Sequence, residues 1–323
     1  MSGFEFSPLP VQRVIDPSLE AMPSEIREKY VTWNSSLDAD FAEYWYLQAE
    51  HIALSQQHIA MTADEALRRA PSGSPRRALL LGAGNCYDTP IAALADAFDS
   101  VTLVDVDTQA SERTLASLTG RQLGKISLIG ADVSGTMGPL LSDIYRLSKE
   151  HASYADFAAA LTPVVDELPI FGVQPDIGRD YTFVSSQLLM TQLAGLPVQE
   201  INVRVLQAKY GHGYRTPAPD APDAALMKGL SALSHCLQVG HVDYLRRLIA
   251  DTGTVHFADT SALLVDGKDA ARHNLMEYDL VLPQFAARFD MLRDLEIWDW
   301  RQRPDRIFRV ISLGFTPKPE TKS

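Results

Sequence analysis

Short, largely apolar runs recur along the chain, separated by longer stretches whose apolar residues return every three or four positions. Ala78–Leu81, Val101–Val104, Lys125–Ile129, Asp180–Val184 and Thr254–Ala258 are runs of the first kind. Ile91–Phe98, Pro139–Lys149, Tyr154–Leu161 and Asp223–Ala250 are stretches of the second kind. Short, mostly apolar runs suit strands buried on both faces, and the spacing between them suits crossover helices. The pattern predicts an α/β fold with a doubly wound, mostly parallel sheet. Two further runs, Glu296–Arg301 and Ile307–Phe315, are split by Arg303-Pro304-Asp305, a turn signal. They predict a terminal antiparallel hairpin that brings the sheet to seven strands.

Upstream of the first run the spacing is helical. Residues 1–22 are mixed and carry prolines, which predicts an extended arm. A helix starts at Pro23-Ser24-Glu25 and passes through Ile26, Tyr30 and Trp33. Asp38 or Asp40 is placed to cap a second helix, with Phe41, Trp45, Gln48, Ile52, Ser55 and Ile59 on one face and an end near Arg69. His51 and His58 on it are expected to be solvated. Pro71–Pro75 is a linker. Residues 1–72 therefore form a helical N-terminal extension, and residues 73–323 the α/β domain. That domain carries more chain than its crossovers need at about 134–179 and 195–223. Loops of that length commonly serve as lids or binding loops. In the second, Ile201–Ala208 alternates and predicts a strand. Lys209–Arg215 then sets His212 and Tyr214 among glycines, as on a mobile loop, where His212 could serve as a general base.

Composition narrows the chemistry. The net charge is −12 over 323 residues and no basic run occurs, which suits no nucleic-acid partner. Cys86 and Cys236 are the two cysteines, too few for a disulfide framework or a zinc cluster, and no metal is expected. No apolar run approaches the ~20 residues of a membrane span. The N-terminal residues lack a signal-peptide pattern. The expectation is a soluble cytoplasmic protein.

The most informative stretch is Arg76–Asp107. Gly82-Ala83-Gly84 turns the chain at the end of the first strand, and Asp105 stands at the end of the second. Glycines there let backbone approach a nucleoside, and the acid accepts from ribose hydroxyls. A dinucleotide fingerprint would need a glycine at Tyr87, which argues against NAD or FAD. No Gly-Lys-Ser/Thr follows, which excludes a P-loop. The stretch resembles motif I and the following acidic strand of the class I S-adenosylmethionine (SAM)-dependent methyltransferases. It departs from that pattern at Leu80, where the family has an acid, and at Cys86, where it has a third glycine. Gly130-Ala131-Asp132-Val133 matches a later family position at the end of the third strand.

The resemblance implies SAM as cofactor, held by Gly82, Ala83, Gly84, Asn85, Asp105, Val106, Asp132, Val133 and Ser185. Asp88 is the acid that could stand in for the one missing at Leu80. It also implies a small-molecule acceptor beside the fourth strand's end, where Gln187 stands; Tyr214 on its loop and Asp259 at the end of the fifth strand are the other expected substrate contacts. Tyr44, Trp45 and Tyr46 of the extension could add an aromatic wall for a cationic sulfonium. No catalytic residue is fixed by the sequence; His212, Tyr214 and Gln187 are the candidates. Two other readings stay open. One is a methyltransferase fold kept for binding or assembly. The other is aminopropyl transfer like that of spermidine synthases, for which Ser185-Ser186-Gln187 lacks the paired acids that hold a polyamine.

Overall fold

The computed structural model describes residues 11–20, 22, 24–168, 174–193, 207–211, 224–266, 268–269 and 278–319. Strands β1 (Gln12–Ile15), β2 (Arg77–Leu81), β3 (Ser100–Asp105), β4 (Ile126–Gly130), β5 (Tyr181–Gln187), β6 (Ile249–Val265), β7 (Lys268–Asp269), β8 (Phe289–Arg303) and β9 (Arg306–Pro317) form one sheet. Its order is β1-β4-β3-β2-β5-β6-β9-β8, with β7 paired to β6. The pairs from β1 through β6 are parallel, and β9 runs antiparallel to both β6 and β8. The seven expected strands are all present, with their hairpin.

Beside the two-residue β7, β1 is the addition. Part of the expected arm pairs with β4 from Gln12↔Ser127 to Ile15↔Gly130. Glycine at position 130 makes the docking possible. A Cβ there would come within 2.8 Å of Leu19 Cδ2 and 2.9 Å of Ile15 Cδ1.

Helices cover both faces. On one lie α6 (Met137–Glu150), α7 (Tyr154–Glu167), α9 (Ala224–Leu248) and α10 (Tyr278–Arg288). They share a core with Leu79, Leu81, Val184, Val255, Phe257 and Phe315. The first long crossover thus supplies two core helices, with Leu140, Ile144, Phe157 and Leu161 buried, and not a lid over a cleft. Of the second, Gln207–Tyr210 is a short helix (α8) where the end of a strand was expected; the rest lies outside the described residues. Among the described residues no helix is long and apolar enough to cross a membrane.

The opposite face carries α2 (Ser24–Arg69) and α3 (Ile91–Ala97). The two helices expected in the N-terminal region are one element of 46 residues, and the break expected at Asp38 or Asp40 is a kink at Tyr44 (φ −118°, ψ 25°). The kink resets the phase of the apolar stripe. Gln48, His51, Ser55, Ile59 and Thr62 turn inward, whereas Trp45 is 60% and Tyr46 58% exposed. Strand order reverses between β2 and β5, and ligands of doubly wound sheets sit in the crevice at that switch point.

Candidate functional site

The crevice is built first from the turn after β2. Gly82 (φ 70°), Gly84 (φ 46°) and Cys86 (φ 56°) all take left-handed backbone. Gly82 and Ala83 each donate N–H to Val104 O, at 3.0 and 3.1 Å. A Cβ on Gly82 would lie 3.2 Å from Leu189 Cβ, so its absence lets the segment after β5 close on the turn. A Cβ on Gly84 would meet nothing within 4 Å, so the turn is open on that side. Cys86 occupies the place of the family's third glycine and keeps the glycine-like conformation. Its side chain is buried, with Sγ donating to Ala83 O at 3.3 Å, and burial pushes the thiol far up from its ordinary range. Leu80, where the family has an acid, packs in the core with Ile91, Leu94 and Phe183.

Asp105 binds this turn directly. Its Oδ2 accepts from Gly84 N–H at 2.8 Å and its Oδ1 from Asp107 N–H at 2.9 Å. Burial raises the carboxyl to about 6, against the lowering effect of those backbone donors. Each oxygen keeps lone-pair capacity for a ligand hydroxyl. Val106, next in the chain, is partly buried against the main core. Ala131 N–H donates to Asp105 O (3.1 Å), which brings the end of β4 alongside. Asp132 is differently engaged. Oδ1 accepts from Ser134 N–H and Oγ–H (3.0 and 2.6 Å), and Oδ2 from Met137 and Gly138 N–H (2.9 and 3.3 Å). It caps the N-terminus of α6 and is 3% exposed, and Val133 beside it is buried.

Helix α2 clasps the turn from both sides of its kink. Asp38 Oδ1 accepts from Asn85 Nδ2 (2.7 Å) and Tyr87 OH (2.6 Å), while Oδ2 pairs with Arg113. Phe41 stacks on Tyr87 with ring centroids 4.2 Å apart, and Gln56 Nε2 donates to Tyr87 O at 2.9 Å. His51 is not solvated. It is 3% exposed and stacks on Trp300 at 4.7 Å. Its Nδ1 accepts from Trp298 Nε1–H at 2.9 Å, and its Nε2 lies 3.8 Å from Asp88 Oδ2. An indole can only donate, so the neutral ring carries its proton on Nε2, facing Asp88. His58, two turns further, is half-buried, and burial lowers its pKa. Of the expected aromatic wall, Trp45 and Tyr46 point to solvent and Tyr44 sits at the kink.

The end of β5 completes the crevice. Ser185 Oγ bonds His256 Nδ1 (3.0 Å) and Ser186 Oγ bonds His241 Nε2 (2.8 Å). Burial lowers His241 to about 4 and His256 to about 3, so both are neutral. Gln187 ends the strand, and Leu188 follows in left-handed backbone at φ 52°, a strained conformation of the kind found at functional sites. Asp259 is wholly buried. It accepts from Thr191 N–H (3.0 Å), Thr191 Oγ–H (2.6 Å) and Thr260 N–H (2.7 Å), and so pins the segment after β5. Its carboxyl is pushed up to about 6 by burial. His212 and Tyr214 lie outside the described residues. The structure thus gathers the glycine turn, Asp88, Asp105, Gln187 and Leu188–Leu189. Sequence reasoning missed Asp38, the inward role of His51, and Trp298 and Trp300, because their partners are far away in the chain.

No family model matches the chain, and none of the curated proteins does. Solved structures do. A loganic acid methyltransferase with S-adenosylhomocysteine (SAH) aligns at a TM-score of 0.50 and 9% identity, over 88% of this chain and 97% of that one. A phosphoethanolamine N-methyltransferase from Haemonchus contortus aligns at 0.40 and 13%, over 94% and 52%. A TehB-like SAM-dependent methyltransferase from Corynebacterium glutamicum aligns at 0.32 and 11%, over 84% and 100%. The two lower scores carry no argument. The first shows that this chain has the class I fold of SAM-dependent methyltransferases.

Proposed function

We propose that the chain is a SAM-dependent methyltransferase acting on a small-molecule acceptor. The observation that carries this reading is the open turn Gly82–Gly84 tied to Asp105 at the sheet's switch point. The residues present suit SAM. Asp105 would take the ribose hydroxyls, Gly82–Gly84 would let the backbone approach, and Asp88 offers a carboxylate near the turn in place of the acid absent at Leu80. When bound, SAM supplies a methyl group activated by a sulfonium. The protein's part is to hold an electron-rich acceptor in line with it, which is catalysis by positioning. Gln187 and Leu188 stand where that acceptor would enter, and α2 with the hairpin excludes water behind them.

Isothermal titration with SAH tests this. The wild-type chain is expected to bind, and Asp105→Ala to bind about tenfold to a hundredfold more weakly, the scale of a lost charged hydrogen bond. No heat from the wild type at about 1 mM SAH, or no change in the variant, would sink the reading.

A further inference from the structure

We propose that Asp88 receives a ligand's ammonium group, and that His51, its proton placed by Trp298, positions that carboxylate. This rests on the methyltransferase reading above and deepens it.

Asp88 differs from the other carboxylates around the crevice. Asp38, Asp105, Asp132 and Asp259 each accept two or more hydrogen bonds from the protein. Asp88 accepts none from the described residues. An acid just ahead of a helix commonly caps it. Here the N-cap of α3 is Pro90, with no side-chain cap bond. The Asp88 side chain is 23% exposed, so water reaches only part of it.

The group turned toward it is His51 Nε2, 3.8 Å from Oδ2 and just beyond hydrogen-bond reach. Trp298 Nε1–H donates to Nδ1 of that ring, which leaves the ring proton on Nε2. A second proton could enter only at Nδ1, where the indole N–H already sits. Arg113, the guanidinium of the clasp, is taken by Asp38. Asp88 is therefore a carboxylate with no cationic partner among the described residues. The His51 N–H points at Oδ2, across a gap that a small shift of the carboxylate would close, and Oδ1 is left to a ligand.

Two observations put this carboxylate in the crevice. Asp88 and Asp105 both act on the Cys86 thiol, so they flank one turn. On the other side, His51 is bonded to Trp298, and Leu188, the residue after Gln187, packs against the same cluster of Ala258, Trp298 and Val310. Asp88 thus stands between the cofactor's turn and the place where the acceptor would enter.

A carboxylate without a counter-charge fits a group that brings both positive charge and N–H donors. That is an ammonium. A sulfonium or a quaternary nitrogen has no N–H to give Oδ1. An ammonium nitrogen has no lone pair, so the group held here is a handle and not the methylated atom. Two ligands could carry it: SAM, by the α-ammonium of its methionine end, or an acceptor that bears an amine.

Calorimetric titrations on the full chain separate these. One arm compares SAH with its analogue bearing hydrogen in place of the α-amino group. The other, with SAH present, compares benzylamine and phenethylamine with benzyl alcohol and 2-phenylethanol. In one arm the ammonium ligand is expected to bind about tenfold to a hundredfold tighter, the range of a charged hydrogen bond, and that arm identifies the source. Asp88→Asn should erase the preference while the ligand without the ammonium binds as to wild type, which also shows that the variant folds. His51→Leu should weaken the preference several-fold, and His51→Gln, which keeps an N–H donor, should restore most of it. A merely structural His51 would lose both ligands alike, and an undiminished preference in His51→Leu would overturn its positioning role. A preference in neither arm, or one that survives Asp88→Asn, overturns the ammonium site and leaves the methyltransferase reading standing on SAH binding. If the wild type binds neither SAH nor its analogue, the reading beneath it falls.

Discussion

Cys86 holds a left-handed backbone with a side chain, at a turn where a glycine would do so freely. Left-handed backbone costs an L-residue roughly 1–2 kcal/mol, here offset by a buried side chain and its bond to Ala83 O. Cys86→Gly is therefore expected to leave stability within about 1 kcal/mol of wild type, while Cys86→Val, β-branched, should cost about 1–3 kcal/mol. Urea unfolding measures both, and equal midpoints for the valine variant would contradict it. At this scale the sequence was informative where geometry restricts residue type. Gly82 and Gly84 were legible because few other residues fit their φ. Asp132 and Asp259 read ambiguously: an acid after a strand serves equally well to bind a ligand or to cap the next segment. Both are buried against backbone N–H groups.

Among elements, α2 has two roles divided by the kink at Tyr44. Its first half reaches the cofactor turn through Asp38, and its second half lies on β5, β6 and β8. Asp38→Ala removes the acceptor shared by Asn85, Tyr87 and Arg113. The expected result is a loss of about 1–3 kcal/mol, the scale of a charged hydrogen bond, and several-fold weaker SAH binding. Amide exchange should quicken from Gly84 to Asp88 and stay unchanged in β5 and β6; uniform quickening would contradict a local clasp. Helical spacing announced that both halves were helices. It could not announce their fusion, because contacts such as Asp38 with Tyr87 and His51 with Trp298 depend on the fold and leave no local period.

Across the molecule, the central strands were legible because each is buried on both faces and so reads as a short, mostly apolar run. β1 was not, since its four residues are exposed and lie at an edge. The same deep burial keeps His241 neutral. Its pKa is lowered to about 4 when folded, against about 6.5 when unfolded. The unfolded chain thus binds a proton that the native one refuses, and stability is lost as pH falls through 6.5 toward 4. Relative to His241→Gln, the wild type should lose roughly 2 kcal/mol between pH 7 and pH 5 in chemical denaturation. A constant difference would contradict that. The comparison with the variant removes Asp105 and Asp259, whose raised values near 6 act in the opposite sense, favouring the fold as pH falls from 6 to 4. At the far end of the sheet, β8 is paired with β9 alone among the described strands, and Met291, Leu295 and Ile297 along it are exposed. An open strand of this kind is a template on which another chain can crystallise into a fibre. Arg293, Asp294, Glu296 and Asp299 interrupt it with charge, and register shifts flank Arg293. The safeguard against self-assembly along this edge is therefore a few ionised side chains and a broken ladder, on the same strand whose Trp298 and Trp300 hold His51.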